Sequence, residues 1–218
     1  MTIPHERCRL YLITPPVIEP ARFADTLKAA LDGGDVASVQ LRLKDVDEAT
    51  LRRAIDALKP VAQSRGVAFI LNDNPSLAAE TGCDGVHVGK DDPSVAEARR
   101  IVGNDLIVGS SAYDSRHRAM EAGEEGADYV AFGAFFPTTT KVAEGRPEPE
   151  ILEWWSELFV VPCVAIGGIK VDNCATLVQA GADFLAVSAG VWNFEGGPGA
   201  AVRAFNTAIE AALEGAGA

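Results

Sequence analysis

The sequence predicts an α/β protein, a single-domain (β/α)₈ TIM barrel of parallel strands joined by helices. Two observations lead to this fold class. Short apolar runs alternate with longer helical patterns along the 218 residues, and eight such pairs can be counted. Strict alternation is typical of a parallel sheet, in which a helix returns the chain to the next strand. An open, doubly wound sheet would show the same alternation, but eight pairs favour a closed barrel.

The predicted strands and helices follow one another in regular order. The strands cover residues 9–13, 38–43, 68–71, 85–88, 106–110, 129–133, 161–166 and 184–188. The helices cover residues 21–31, 48–64, 76–80, 94–102, 115–124, 149–158, 172–180 and 200–213. No linker, low-complexity tract or charge run interrupts the series, so residues 1–218 are predicted to form one domain.

Glycine followed closely by aspartate recurs between a predicted helix and the next strand. The four occurrences are Gly34-Asp35, Gly82-Cys83-Asp84, Gly126-Ala127-Asp128 and Gly181-Ala182-Asp183. Glycine can adopt the left-handed conformation that ends a helix, and the short polar residue begins the strand. We expect these turns at the amino ends of the strands, the face of a barrel that serves stability.

Composition excludes several classes of function. The net charge of −12 argues against nonspecific nucleic-acid binding, which needs a basic surface. No apolar stretch reaches the ~18 residues of a membrane helix, and the first residues lack the basic and apolar regions of a signal peptide. The four scattered cysteines have no metal-ligand spacing and suit a reducing cytoplasm. An anion site in so acidic a chain must depend on local cations and backbone N–H groups.

Polar residues accumulate where the second predicted strand ends. Gln40, Arg42 and Lys44 alternate with Leu41 and Leu43, so the three polar side chains are predicted to share one face. The inner face of a barrel strand is normally apolar, and barrel active sites lie at the carboxyl ends of the strands. The pattern therefore indicates a site for a charged ligand, although a strand end that emerges into solvent with surface ion pairs would look similar.

Two aspartates follow the third and fourth predicted strands. Asp73 comes directly after Asn72, and Asp92 follows the strand at residues 85–88. Because neighbouring parallel strands end at the same edge, the two carboxylates could share one Mg²⁺, which prefers one or two carboxylates together with substrate phosphates. The alternative is helix capping. Asn74 suits that role before one helix, and Asp92 could cap the next.

The loops after the last three strands carry groups suited to phosphate. Thr138, Thr140 and Lys141 follow the sixth strand, although threonine-rich loops also form local turns. Gly167-Gly168 follows the seventh strand, where glycine lets backbone N–H groups approach an anion closely. Barrels often bind phosphate in the loops after strands seven and eight.

Groups for acid–base chemistry are scarce by comparison. The three histidines are His5 near the start, His117 on a predicted exposed helix, and His87 within a strand, where we expect a hydrogen-bonded packing role. The sequence contains no nucleophile elbow, Cys/His pair or HExxH motif. The predicted site therefore suits electrostatic stabilisation of a phosphate leaving group.

Seven short motifs stand in order along the chain. They are Gln40-x-Arg42-x-Lys44, Asn72-Asp73, Gly85-Val86-His87-Val88-Gly89, Asp92, Gly109-x-Ser111-Ala112, Pro137-Thr138-x-Thr140-Lys141 and Ala165-Ile166-Gly167-Gly168-Ile169. Each is modest alone, but together and in this order they resemble the thiamine-phosphate synthase family. The resemblance implies an enzyme that joins hydroxymethylpyrimidine diphosphate to hydroxyethylthiazole phosphate, giving thiamine monophosphate and diphosphate.

The resemblance also implies roles, position by position. The residues that would hold the pyrimidine diphosphate are Gln40, Arg42, Lys44, Asn72 and Lys141, with Ser111 near the pyrimidine. Those that would hold the thiazole phosphate are Thr138, Thr140, Gly168, Val187 and Ser188. The ligands of Mg²⁺ would be Asp73 and Asp92, and the catalytic residues would be Arg42, Lys44, Ser111 and Lys141. The implied reaction is dissociative: diphosphate departs first, and the thiazole nitrogen captures the pyrimidine carbocation.

Two other functions stay open at this level. A thiazole tautomerase-like relative would share the fold but needs a positioned base such as histidine, and Ala134 stands after Gly133 where those relatives resemble Gly-His. A non-catalytic, phosphate-binding regulatory barrel is the other, since a fold does not establish activity.

As for partners, Trp154-Trp155 lies on a predicted outer helix, where one ring could face a second subunit of a homodimer.

Overall fold

The computed structural model describes residues 8–137 and 146–216 of the chain. Its strands close into one parallel barrel in which each strand pairs with the next and β8 pairs with β1. The strands are β1 (Arg9–Ile13), β2 (Val36–Leu41), β3 (Ala68–Asn72), β4 (Gly85–Val88), β5 (Ile107–Tyr113), β6 (Tyr129–Gly133), β7 (Cys163–Ile166) and β8 (Phe184–Val187). This closed barrel confirms the predicted fold class and excludes the open sheet.

Helices follow the strands and pack around the barrel. They are α1 (Pro20–Leu31), α2 (Glu48–Gln63), α3 (Pro75–Glu80), α4 (Val95–Val102), α5 (Arg116–Glu124), α6 (Glu150–Leu158), α7 (Ala175–Gln179), α8 (Ala189–Trp192) and α9 (Pro198–Ala216). Eight agree with predicted helices to within a few residues. The short α8 was not predicted, because one turn of helix leaves no periodic apolar pattern to detect.

The outer core lies between strands and helices. Helix α2 illustrates it: Ala54, Ile55, Leu58 and Ala62 are fully buried and follow the spacing i, i+1, i+4 and i+8, which places them on one helical face. Full burial of a side chain such as Leu58 stabilises the fold by about 1.5–3 kcal/mol. Asp47 caps the same helix, since its Oδ1 accepts the Thr50 N–H at 2.7 Å.

A smaller core fills the inside of the barrel. Its members are Tyr11, Ile13, Tyr129, Ala131, Val164 and Ala186. They alternate along their strands with residues of the outer core, as the period of two requires. Two of them, Tyr11 and Tyr129, carry hydroxyl groups into this interior.

The Gly–Asp turns lie at the amino ends of the strands, as expected. Gly82, Gly126 and Gly181 have φ values of +66°, +94° and +92°, in the region that glycine adopts without steric cost. Gly34 differs, because its φ is not positive; there a Cβ would lie 2.2 Å from Asn206 Oδ1. At this turn, which is the first along the chain, glycine is required because there is no room for a side chain, and not because of its backbone conformation.

The second strand ends earlier than predicted. β2 stops at Leu41, so Arg42 and Lys44 lie in the following loop and not on the strand. The backbone leaves the ladder because the Arg42 N–H donates to Thr14 Oγ1 at 3.0 Å and the Lys44 N–H donates to the Pro16 carbonyl at 3.1 Å. These bonds join the loop after β2 to the loop after β1.

Two predictions from composition can be compared with the structure. Among the described residues, no helix combines the length and apolarity that a bilayer crossing requires. The four cysteines, Cys8, Cys83, Cys163 and Cys174, are buried free thiols, and burial raises the pKa of each. They behave as apolar core residues, as predicted.

Candidate active site

A cavity of about 1120 Å³ opens at the carboxyl ends of the strands. Its volume lies slightly above the range usual for small-molecule sites. The predicted site residues that line it are Gln40, Arg42, Lys44, Asn72, Asp73, Asp92, Ser111, Gly168 and Ser188. Residues separated by almost 150 positions in the sequence are thus brought around one space.

The polar group after β2 is held by hydrogen bonds. Gln40 is only 3% exposed, and its Nε2 donates to Asn72 Oδ1 at 3.1 Å. A buried amide needs such a partner. This bond fixes two neighbouring side chains on β2 and β3, and the loop bonds of Arg42 and Lys44 place two cations beside them.

Asp73 is not the cap of the following helix. That role belongs to Asn74, whose Oδ1 accepts the Leu77 N–H at 3.0 Å. Asp73 has a φ of +68°, a left-handed conformation that is uncommon for a residue other than glycine. Its N–H donates to the His87 carbonyl at 2.8 Å, which ties the end of β3 to β4. Strain of this kind concentrates at functional sites.

Asp92 is not a helix cap either, so the capping alternative is wrong for both aspartates. Ser94 caps α4 and forms a capping box with Glu97. Asp92 Oδ2 instead accepts the Gly89 N–H at 2.7 Å. This charge-assisted bond holds the carboxyl group at the cavity, one strand away from Asp73.

The two carboxylates fit the donor set of Mg²⁺, a hard cation that takes oxygen ligands and keeps several positions for water and phosphate. Within residues 8–137 and 146–216, no cluster of three or more His, Cys, Asp or Glu side chains is suited to hold a metal ion. A cation bound by Asp73 and Asp92 would leave positions open for oxygen atoms of the substrate and for water.

Two of the three predicted positions after β7 and β8 lie at the cavity. Gly168 has a φ of +65°, and a Cβ there would lie 2.5 Å from the Pro137 carbonyl oxygen, so only glycine fits. Ser188 lines the cavity directly before α8. The side chain of Val187 does not line the cavity: it is 1% exposed and belongs to the outer core, because alternation along β8 turns it away from the interior. Its predicted role at the thiazole phosphate stays a prediction.

Comparison with known proteins decides the family. A profile of the family described as thiamine monophosphate synthase matches residues 10–191. The chain belongs to this family. A thiamine-phosphate synthase from Rhodospirillum centenum is 65% identical over 199 residues, which are 91% of this chain and 96% of that one. Another from Hyphomonas neptunium is 54% identical over 212 residues, 95% of this chain and 96% of the relative.

A solved structure agrees with these sequence matches. Thiamine phosphate pyrophosphorylase from Pyrococcus furiosus superposes with a TM-score of 0.82 at 29% identity, over 96% of this chain and 98% of that chain. Membership in the thiamine monophosphate synthase family makes this chain an enzyme of the transferase class.

Three residues predicted for the family's site, Thr138, Thr140 and Lys141, fall outside the described residues. Their predicted roles in phosphate binding, and the catalytic role of Lys141, stay predictions. The described part of the cavity wall nevertheless continues to Pro137 on one side of this segment.

Several cavity residues were missed or underrated at the level of sequence. Tyr113 lines the cavity with a φ of +59°, and Lys90 and Lys170 also line it. His87 was predicted to pack, and it is 9% exposed, but it also lines the cavity. Alternation with the inward-facing Gly85 could have shown that its side chain points inside the barrel. His117, by contrast, is exposed on α5 as expected, with its Nε2 3.2 Å from Glu121 Oε1.

Proposed function

We propose that the enzyme joins hydroxymethylpyrimidine diphosphate to hydroxyethylthiazole phosphate, and that its cavity acts mainly by stabilising the departing diphosphate. The observation that carries this proposal is the convergence of Arg42 and Lys44 with Asp73 and Asp92 at one cavity in a chain of this family. Cations and metal-binding carboxylates together are suited to a polyphosphate.

The cations would act on the charge that grows as the carbon–oxygen bond breaks. Arg42 can offer paired N–H donors to two phosphate oxygens, and Lys44 offers a compact charge. Both backbones are fixed by bonds to the loop after β1, so little reorganisation is needed during reaction. Preorganised charge of this kind is usually the largest contribution to lowering a barrier.

A divalent cation, for which we propose Mg²⁺, would be held by Asp73 and Asp92 together with diphosphate oxygens. When bound, it would supply positive charge that offsets the charge of the leaving group. Asp92 is oriented for this role by the Gly89 N–H, and Asp73 by the backbone bond to β4.

The second substrate would lie nearer β7 and β8. Gly168 and Ser188 border that side of the cavity, where barrels commonly place a phosphate. Closing the cavity around both substrates would exclude water, which would otherwise capture the pyrimidine carbocation. The dissociative order, with diphosphate leaving before the new carbon–nitrogen bond forms, follows from a site with many charge-stabilising groups.

The decisive experiment mixes purified protein with both heterocyclic substrates and Mg²⁺ and measures thiamine monophosphate by chromatography. We expect product that disappears in excess chelator and returns when Mg²⁺ is restored. Equal product in chelator would remove the metal assignment. Isomerisation of the thiazole without coupling would favour a tautomerase, and binding without any turnover would favour a regulatory barrel.

The mechanism has its own test, independent of the metal. An electron-withdrawing substituent on the pyrimidine ring destabilises a carbocation, so we expect turnover to fall by at least about tenfold, or ~1.4 kcal/mol of barrier. An associative displacement would respond weakly to this change.

The tautomerase alternative also lacks support at His87, whose two ring nitrogens are engaged by Tyr129 and Ser111.

The proposal includes setting and assembly. We propose a cytoplasmic enzyme, supported by four buried free thiols, and one barrel domain for the chain as a whole. We also propose a homodimer through the end of α6, where Leu158 and Val160 are exposed beside Trp154. Sedimentation equilibrium of the wild-type protein and of Leu158→Glu tests this assembly, and a wild-type monomer at micromolar concentration would refute it.

A further inference from the structure

Four polar side chains form a continuous hydrogen-bonded chain across the inside of the barrel. The Tyr11 and Tyr129 hydroxyl groups lie 2.8 Å apart. The Tyr129 hydroxyl lies 2.9 Å from His87 Nδ1, and His87 Nε2 lies 2.8 Å from Ser111 Oγ. The chain starts in the buried interior at β1 and reaches the cavity at β5, where Ser111 is half-buried.

The backbone register makes this chain possible. His87 on β4 stands opposite Gly109 on β5, and Gly109 stands opposite Tyr129 on β6. A Cβ on Gly109 would lie 1.9 Å from Tyr129 Cζ, so the missing side chain is the space that Tyr129 crosses to reach His87. Ser111 lies two residues farther along β5 and therefore faces inward at the next level.

The donors and acceptors along this hydrogen-bonded chain can be assigned, starting from Tyr11. Its side chain is 3% exposed, and Tyr129 is the hydrogen-bond partner that the described residues give its hydroxyl. A buried donor without an acceptor is costly, so Tyr11 donates to Tyr129. Burial raises the pKa of both tyrosines, and both remain protonated. Tyr129 has a single proton, which it donates to His87 Nδ1.

This assignment determines the state of the last two residues. A neutral imidazole that accepts at Nδ1 carries its proton on Nε2, and that proton is donated to Ser111 Oγ. Ser111 accepts from His87 and keeps its own proton for a group in the cavity.

We propose that Tyr11, Tyr129 and His87 are positioning residues that fix Ser111 as a hydrogen-bond donor, so that this part of the cavity selects a ligand with an acceptor such as a pyrimidine ring nitrogen. The identity of the ligand rests on the proposed function. The assignment of donors and acceptors along the hydrogen-bonded chain does not rest on that function, and it can be tested in the ligand-free protein.

The first experiment is ¹⁵N nuclear magnetic resonance of the imidazole groups. A His5→Asn/His117→Asn variant leaves His87 as the one histidine of the chain. We expect a neutral ring with the proton on Nε2 at neutral pH. A ring protonated on Nδ1 would overturn the proposal whether or not the protein makes thiamine monophosphate.

The second experiment measures KM for each substrate in Tyr129→Phe. Without the tyrosine donor, the ring proton is no longer confined to Nε2, and where Nε2 is unprotonated it accepts the proton of Ser111. We expect KM for the pyrimidine diphosphate to rise by about tenfold, the effect of one lost hydrogen bond, and KM for the thiazole phosphate to stay within about twofold. The signal of the Nε2-protonated ring should weaken in the same variant.

Four further variants separate positioning from stability. In a Ser111→Ala background, Tyr129→Phe should leave KM unchanged, because the group that it orients is gone. His87→Gln retains an acceptor and a donor and should recover most of the affinity that His87→Leu loses. Val164→Ala removes methyl groups from the same interior layer and no hydrogen bond, so it should destabilise the fold with both KM values intact. Equal KM effects in Val164→Ala and Tyr129→Phe would overturn the proposal.

Discussion

Aspartates at the two ends of the barrel have different surroundings. At the amino ends, Asp84, Asp128 and Asp183 accept the backbone N–H groups of Phe69, Val108 and Cys163, at 2.7, 2.7 and 2.8 Å. Each aspartate thus satisfies a donor near the start of the preceding strand. At the carboxyl ends, Asp73 and Asp92 border the cavity instead.

The difference shows how one residue type serves stability at one rim and chemistry at the other. In the first turn, Asp35 accepts hydrogen bonds from the Arg9 guanidinium at 2.8 and 2.9 Å, so it too binds a residue at the start of the preceding strand. A carboxylate that binds the strand ladder has a fixed structural use, whereas one beside a cavity can bind a ligand. Substitutions at the two rims should therefore separate activity from stability.

The largest expected effect is on the carboxyl-end rim. Asp73→Asn keeps the size of the side chain but removes its charge, so turnover should fall by ~10²-fold or more if several kcal/mol of charge stabilisation are lost. Initial rates over a Mg²⁺ titration measure this change. The neighbouring Asn74→Ala is the control: loss of its cap should lower the free energy of unfolding by ~1 kcal/mol and leave turnover intact. Similar behaviour of the two variants would show that Asp73 is structural.

The interior between the two rims should respond to alkaline pH. Burial raises the folded-state pKa of Tyr11, so its contribution to stability is complete below pH ~10 and declines as the pH rises further. The slope is ~1.4 kcal/mol per pH unit for each such tyrosine. Urea unfolding of Tyr11→Phe between about pH 9 and 11 should show a shallower decline than wild type. An unchanged slope would contradict the assignment, and Val164→Ala should keep the wild-type slope.

The smallest effect is expected at the amino-end rim. Asp128→Asn weakens the bonds to the Val108 N–H and to Arg99 Nη2, which lies at 2.6 Å. The Asp128 side chain is half exposed, so we expect a loss of only about 1 kcal/mol in the free energy of unfolding. Turnover should not change. Asp105→Asn, an exposed aspartate in the turn before β5, is the matched control and should stay within about 0.5 kcal/mol of wild type.

Much of the secondary structure could be predicted from local patterns in the sequence. Residues 9–13, 85–88 and 129–133 were predicted as strands with the bounds that the structure gives them, because short apolar runs between polar turns leave little choice. The end of β2 was predicted less well. It depends on Thr14 and Pro16 in another loop, and no pattern within residues 38–44 contains that information.

The site could be predicted in its membership but not in its arrangement. The order of the motifs predicted that Gln40, Asp73, Asp92 and Ser111 lie at one rim of the barrel. The closed barrel places all four at one cavity. The sequence also suggested Val187, which the structure turns into the outer core. A motif match states which positions recur in a family, whereas alternation along the actual strand decides which side chain faces the cavity.

By itself, the sequence determined the barrel, the Gly–Asp turns and the family, since these depend on periodicity and on motifs that each lie within a few residues. Only the tertiary structure decided the series of hydrogen-bonded side chains that leads from Tyr11 to Ser111. Its members come from β1, β6, β4 and β5, and Tyr11 and Tyr129 are 118 residues apart. Closure of the barrel brings them together, and Gly109 leaves the space through which they meet.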